Sequence, residues 1–522
     1  MKDILYRNYI KNISKIVYLT TGVILLFSLK IYFDRIVSFS FGDEWNTFIL
    51  AYFMQKGKVL YSEIFTNHQM LIAYISYFLE IAFHPNTLYK LVFIHRASLI
   101  LYGFIFDILF LIRFKKKAAG FVITYELTKY YLFGNIFLAE SFIVYPLVYL
   151  FFLGLEKIKL KKIYNWEIIF AGIITWFVLF MREPYIPLVL FLYISLLIKF
   201  KNKKILFSSI ILCIFLSIIT LLTVPFKDYL QDVFLFNFST IIPYEAKSSG
   251  TSGIGIVKIL FYPIFILFWG KWNYFREVLI GGSTIYILFS LYLLFKKKFA
   301  IFFYSFIILT LAAVRVVAPG TMFYEAFHMV IWYALFIVTI VYFLSEIAAF
   351  ANRKIKFISL GIFLLWLVFL FSPKSFIWEN IDKNIVFTIN YAQYYTNGEV
   401  IHQLSSKNDT LFADLWDYLI YWQANLSSPY KYSIYTFVMQ GYKPFQDARM
   451  AMFKTNPPDF YYTFCPKGVY ASELLPDFVK NKYIELNHNN MPSCLYIKKS
   501  KLASISKDKW SNIAQLGFSL PQ

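Results

Sequence analysis

The chain has 522 residues, 59% hydrophobic and 22% aromatic, with only 16% charged, a balance far more apolar than soluble domains carry. Lysine and arginine outnumber aspartate and glutamate to give a net charge of +21. Such an excess suggests nucleic-acid binding only when the basic groups are spread over a surface, and here they fall between apolar runs, where they signal membrane topology.

Lys2, Arg7, Lys11 and Lys15 precede the first apolar run, about 17–37, which is too long for a removed signal peptide, lacks a small-residue cleavage pattern, and reads as a retained anchor. Apolar runs then predict spans near 17–38, 89–112, 118–138, 139–155, 166–182, 184–198, 205–224, 278–295, 299–315, 328–346 and 357–372, about eleven helices. The remaining basic clusters are Arg113 with Lys115–Lys117; Lys157, Lys159, Lys161 and Lys162; Lys199, Lys201, Lys203 and Lys204; Lys296–Lys298; and Arg353, Lys354 and Lys356. With the N-terminal four, the six clusters hold about 22 positive charges, and alternating spans place every cluster on one side. The expected placement is a multi-pass protein of the plasma membrane with a cytoplasmic N-terminus and an extracytoplasmic C-terminus.

Three segments on the outer side are long: 39–88, 225–277 and 373–522. In the first, WNTFILAYFMQKG and MLIAYISYFLEIAF predict helices in the membrane interface. In the second, IVKILFYPIFILFWG reads as interfacial, since a further span would break the charge alternation. From 373 the composition turns soluble: GEVIHQLSSKNDTLFADLWDYLIYW reads as helix, strand, helix, and DFYYTF and CLYIKK read as strands. The predicted fold is an all-α polytopic membrane domain over 1–372, carrying outer loops 39–88 and 225–277, with a small extracytoplasmic α/β domain over 373–522. Cys465 and Cys494 lie in that domain and could pair in an oxidising compartment, or stay as thiols.

Ionisable residues at membrane depth are costly unless they pair or line a cavity. Asp43 and Glu44 follow the first span. Glu140 sits at the junction of the third and fourth, Arg182 and Glu183 between the fifth and sixth, Arg315 at the end of the ninth, and Tyr324, Glu325 and His328 at the start of the tenth. All map to the outer boundary, which suggests a shared polar cavity; the plain alternative is a set of solvated helix ends. Asp43 could accept a proton from an attacking hydroxyl, and Arg182, Arg315, His68 or Lys271 could hold an anionic leaving group, Lys271 reading equally as a loop charge. Glu126 and Lys129 predict a structural ion pair, and Asp107 has no evident partner. No CxxC, HExxH, P-loop or GxGxxG pattern occurs, which leaves zinc, nucleotide and dinucleotide chemistry without support. The sequence calls for no cofactor, and the outer carboxylates leave a divalent metal open.

The segment GDEWNTFILAYFMQKGKVLYSEIFTNHQMLIAYI, with Asp43, Glu44, Gly57, Tyr61, Glu63, Phe65 and His68 in order, resembles the GT-C membrane glycosyltransferases, particularly the branch of protein O-mannosyltransferases and lipid A aminoarabinose transferases. Further echoes are Glu140 in NIFLAESF, Arg182 in MREPYIP, and FYEAFHMVIWYAL; Gln69 and Met70 stand where the family commonly has prolines. The resemblance implies inverting transfer of a sugar from a polyprenyl-phosphate donor to a lipid, glycan or protein acceptor at the outer face, with Asp43 as base and Glu44 assisting. It implies donor contacts from His68, Arg182, Arg315, Tyr324 and His328, and a cavity lined by Glu140, Glu183 and Glu325. The partners would be that donor, the acceptor and membrane lipids, with no nucleic acid. A transporter or flippase of lipid-linked sugars and a non-catalytic scaffold are the rival readings.

Overall fold

The computed structural model describes residues 2–198, 200–243, 256–316, 324–414, 417–434, 436, 443–463 and 475–521; the side chains of the first fourteen residues and of 256, 324, 325 and 444 also lie outside the description. The chain is mostly helical, 71%, with a small sheet near its C-terminus. Its helices in order are α1 (Lys2–Asp34), α2 (Gly42–Gln55), α3 (Met70–Phe83), α4 (Leu88–Phe114), α5 (Lys116–Glu126), α6 (Ala139–Ile158), α7 (Asn165–Leu179), α8 (Ile186–Leu197) and α9 (Lys203–Leu222). There follow α10 (Tyr274–Phe295), α11 (Phe299–Ala312), α12 (Val330–Phe350), α13 (Arg353–Phe369), α14 (Lys383–Leu404), α15 (Leu419–Ala424), α16 (Lys443–Thr455) and α17 (Lys507–Gln515). Two compact units result: unit 1 is Met1–Ile36, Arg96–Ile219 and Ser252–Ile381, and unit 2 is Val37–His95, Thr220–Thr251 and Asp382–Gln522.

Among the described residues, six helices are long and apolar enough to cross a membrane: Lys15–Asp34, Leu88–Phe114, Ala139–Ile158, Lys203–Leu222, Tyr274–Phe295 and Ala326–Phe350. Stretches predicted near 166–182, 184–198 and 299–315 form apolar helices of fewer than eighteen residues. The predicted span 118–138 is interrupted. Helix α5 stops at Glu126 and a 3-10 turn occupies Lys129–Leu132. The Thr128 hydroxyl donates to the Thr124 carbonyl at 2.6 Å, and Lys129 turns back onto Glu126 at 2.6 Å, so the chain ends its helix in a polar knot. The apolar piece after residue 255 forms only short helices at Ile256–Leu260 and Tyr262–Phe265.

Unit 1 is built on α6 and α12. The apolar stretches that contain them are 89% and 94% buried, against 17% for α9, which makes these two the centre of the bundle. Small residues let helices close: an added Cβ at Gly172 of α7 would stand 2.7 Å from the Ser209 backbone carbonyl of α9. One end of the bundle is strapped by ion pairs. Lys117 and Lys161 meet Glu156 at 2.5 and 2.7 Å, Arg113 meets Glu167, and Lys159 meets Glu346.

In unit 2, strands β1 (Leu411–Asp414), β2 (Phe460–Thr463), β3 (Tyr483–His488), β4 (Met491–Lys498) and β5 (Phe518–Ser519) form one sheet in the order β1-β2-β4-β3-β5. Only β1 and β2 are parallel, and every residue in both is buried, as expected of strands covered on both faces. The predicted helix, strand, helix run appears as α14, β1 and α15, and the two further predicted strands as β2 and β4. Phe412, Phe453, Tyr461, Cys494 and Tyr496 share one core. Cys494 is disulfide-bonded; Cys465, its expected partner, lies outside the described residues, and Cys213 is free. Helix α2 is enclosed on every side from Glu44 to Phe53, so it is a core helix of this unit and not an interfacial one; α3 keeps Phe78, Ile81 and Phe83 exposed.

Asp417, in a left-handed backbone conformation at φ 67°, accepts from the Tyr462 hydroxyl at 2.8 Å and from Gln393 Nε2 at 3.1 Å. Burial pushes its carboxyl up to about 6, opposed by hydrogen bonds from Tyr462 and Tyr394. The folded chain therefore holds this proton more tightly than the unfolded chain does. The contribution, about 3 kcal/mol, is full below about pH 4 and is lost as pH rises through about 6. Asp417→Asn is expected to flatten that part of the stability profile, checked by thermal melts of the detergent-solubilised chain across this window. In unit 1, Gly172→Ala is expected to cost about 1–3 kcal/mol by forcing α7 and α9 apart, read from the melting temperature.

Candidate functional site

Four residues predicted at span ends come together in unit 1. Glu140 lies in the first turn of α6, Arg182 caps the 3-10 turn Glu183–Tyr185 that leads into α8, Arg315 ends the turn after α11, and His328 precedes α12. Each sits where an apolar helix begins or ends, because a charge placed mid-helix would face hydrocarbon-like neighbours. Arg182 Nε donates to Glu140 Oε1 at 2.7 Å, and Arg315 Nη1 donates to the same oxygen at 3.1 Å. One carboxylate thus bridges two guanidinium groups. Glu140 and Arg182 are 2% and 5% exposed, which puts these bonds among the strong, charge-assisted kind.

His328 joins through its ring: Arg315 Nη2 contacts His328 Nε2. Guanidinium nitrogens only donate, so Nε2 must accept and His328 carries its proton on Nδ1. Its carbonyl accepts from the Tyr185 hydroxyl at 3.4 Å, and the Phe327 ring lies 5.9 Å from the Arg315 guanidinium carbon. Glu183 extends the cluster, with Oε1 3.6 Å from Arg182 Nη1. The side chains of Tyr324 and Glu325 lie outside the described residues, while their backbone forms the 3-10 turn that delivers His328.

This cluster and the basic straps around Glu156 occupy opposite ends of α6, since Glu140 is in its first turn and Lys157 in its last. Acid at the N-terminus and base at the C-terminus also complement the helix dipole.

Asp43 and Glu44 belong to unit 2. They occupy the first turn of α2, where a negative charge faces unsatisfied backbone N–H groups. Glu44 is fully buried and Asp43 half-buried, so only Asp43 retains a route to solvent or to a substrate. The loop that follows is tied by turns and hydrogen bonds. Gly57 takes φ +87° after α2, a value that favours glycine. The Tyr61 hydroxyl donates to the His68 carbonyl at 2.8 Å, and Glu63 accepts from the Val59 amide at 2.8 Å. The Phe65 amide donates to the Lys431 carbonyl at 3.0 Å while its ring packs edge-on against Phe236 and Phe445. His68 is half-buried, its amide held by Thr66 Oγ1 at 3.2 Å. Within unit 2 this motif therefore fixes the shape of a loop.

Two polar groups outside the predicted site also emerge. In unit 2, His95 Nε2 lies 2.7 Å from Ser76 Oγ, and Gln55 donates to Glu80 at 2.7 Å. In unit 1, Asp107 lies with Glu126, Lys129 and three tyrosines. Helical spacing revealed the Glu126–Lys129 pair, but nothing local revealed the rest, whose members come from separate helices. Among the described residues, no group of three or more His, Cys, Asp or Glu side chains is placed to hold a metal ion.

Removing the shared carboxylate leaves two buried cations side by side. Glu140→Gln is expected to destabilise unit 1 by about 3 kcal/mol, whereas Lys30→Ala, which breaks an exposed Lys30–Asp34 pair, is expected to cost less than about 0.5 kcal/mol; denaturation of the solubilised variants checks both. Comparison with family models, with curated proteins and with solved structures finds no match for the chain.

Proposed function

We propose that the chain is an integral membrane glycosyltransferase of the GT-C type that moves a sugar from a polyprenyl-phosphate donor to an acceptor at the extracytoplasmic face, with inversion. The observation that carries this reading is the joining of Glu140, Arg182, Arg315 and His328 at the ends of apolar helices. Two guanidinium groups held in place by one carboxylate are suited to a phosphate group, whose oxygens accept the forked N–H donors of arginine. The apolar helices around them suit a donor with a polyprenyl tail, which would reach the cluster from the bilayer. The same reading takes the apolar helices as about eleven spans, with the N-terminus cytoplasmic.

In this mechanism the acceptor hydroxyl attacks the anomeric carbon, its proton passes to a carboxylate base, the role the sequence resemblance gives to Asp43, and the bond from that carbon to the phosphate oxygen breaks. Within unit 1, the paired Arg182 and Arg315 are suited to offset the charge left on a departing phosphate. A lipid phosphate leaves without a strong acid, so a single base suffices. The half-buried position of Asp43 beside the fully buried Glu44 supports giving Asp43 that role.

Asp43→Asn is expected to lower sugar transfer from a labelled polyprenyl-phosphate donor in proteoliposomes by at least about 100-fold, with donor binding retained. Wild-type transfer rates in that variant would remove Asp43 as the base.

A further inference from the structure

The cluster around Asp107 has no part in the proposed transfer reaction. Asp107 lies in the middle of α4 and is 0% exposed, and Glu126 and Lys129 are 5% and 2% exposed. Lys129 Nζ reaches both Glu126 oxygens, at 2.7 and 2.6 Å, and the Tyr145 hydroxyl at 2.8 Å; that hydroxyl stands 3.1 Å from Glu126 Oε1. The Tyr32 hydroxyl donates to the Glu126 carbonyl at 2.5 Å. The Tyr32, Tyr145 and Tyr125 rings surround the ammonium at 4.7, 5.6 and 5.9 Å. From the remaining neighbours, Tyr333 bonds Thr128 and Tyr130 stacks on Phe376, so neither adds a charge.

Two carboxyls therefore face one cation in an apolar interior. The Asp107 carboxyl lies beside Glu126, and neither of its oxygens has a donor among the described residues. Ionised carboxylates only accept, so contact between two of them needs a hydrogen on one. Charge count leads to the same place: Asp107, Glu126 and Lys129 all ionised would leave one uncompensated negative charge, which costs several kcal/mol in such surroundings.

We propose that Asp107 and Glu126 share one exchangeable proton, which makes the Asp107–Glu126–Lys129 cluster a proton-binding site inside unit 1. The proton satisfies the contact between the carboxyls and brings the cluster to neutrality. Tyr145 and Tyr32 anchor Glu126, and Lys129 holds the charge of the carboxylate that stays ionised. An amide in place of either carboxyl supplies the same donor without the proton, which makes the site separable from folding.

Infrared difference spectra of the full chain in lipid nanodiscs at neutral pH test this. The wild type is expected to show a protonated-carboxyl stretch that shifts in D2O and that is absent from both Asp107→Asn and Glu126→Gln, with melting temperatures close to wild type. Either single variant suffices if the other fails to fold. Spectra of wild type and variant that coincide in the carboxyl region would overturn the proposal, as would a band lost from neither variant.

Discussion

A carboxylate taken from water into an apolar bundle costs several kcal/mol unless a cation and hydrogen-bond donors meet it there. Unit 1 is arranged around that requirement. Glu140 is met by Arg182 and Arg315, Glu156 by Lys117 and Lys161, Glu167 by Arg113, and Glu346 by Lys159. Apart from the local Glu156–Lys161 pair, these pairs join different helices or the turns beside them, so neutralising charge and fixing the bundle are the same act. The central helices α6 and α12 can be enclosed almost completely because their acids have partners, at both ends of α6 and near the C-terminal end of α12.

Unit 2 adds aromatic packing and side-chain to backbone bonds to ion pairs such as Arg449–Asp414 and Lys431–Asp232. Its loop after α2 contains the residues that resemble a glycosyltransferase motif, and most of them are occupied in packing. Gly57 turns the chain, Tyr61 ties the loop to His68, and Phe65 wedges between Phe236 and Phe445. Gly57 and Glu63 face solvent, and Asp43 and His68 remain partly open. A motif of this kind preserves loop shape as much as chemistry, since a base placed by a loose loop would lose the orientation that proton transfer needs.

The residues of the unit 1 cluster were legible because burial cost drives charges to helix ends, and helix ends follow from the lengths of apolar runs. Their pairing was not legible: Glu140 lies 42 residues from Arg182 and 175 from Arg315, and no local spacing encodes a contact of that range. The break after Glu126 was missed for a related reason, since hydropathy counts apolar side chains and takes no account of Thr128 bonding back to Thr124. Asp107 looked solitary because its partners stand on other elements. In unit 2, β1, β2 and β4 announced themselves by apolar and β-branched or aromatic runs, whereas β3, rich in polar residues, and the two-residue β5 did not.

Helix α6 also sets a scale for electrical work. Glu140 and Glu156 are sixteen residues apart, about 24 Å along the axis, and Tyr145 stands about 7.5 Å from the Glu140 level. A bilayer potential applied across that apolar layer would fall between its two charged ends. A proton travelling between the Tyr145 level and the Glu140 end would cross about a third of the drop, worth about 0.7 kcal/mol per 100 mV. The occupancy of a site at that depth would then follow the membrane voltage as well as the proton concentration on either side.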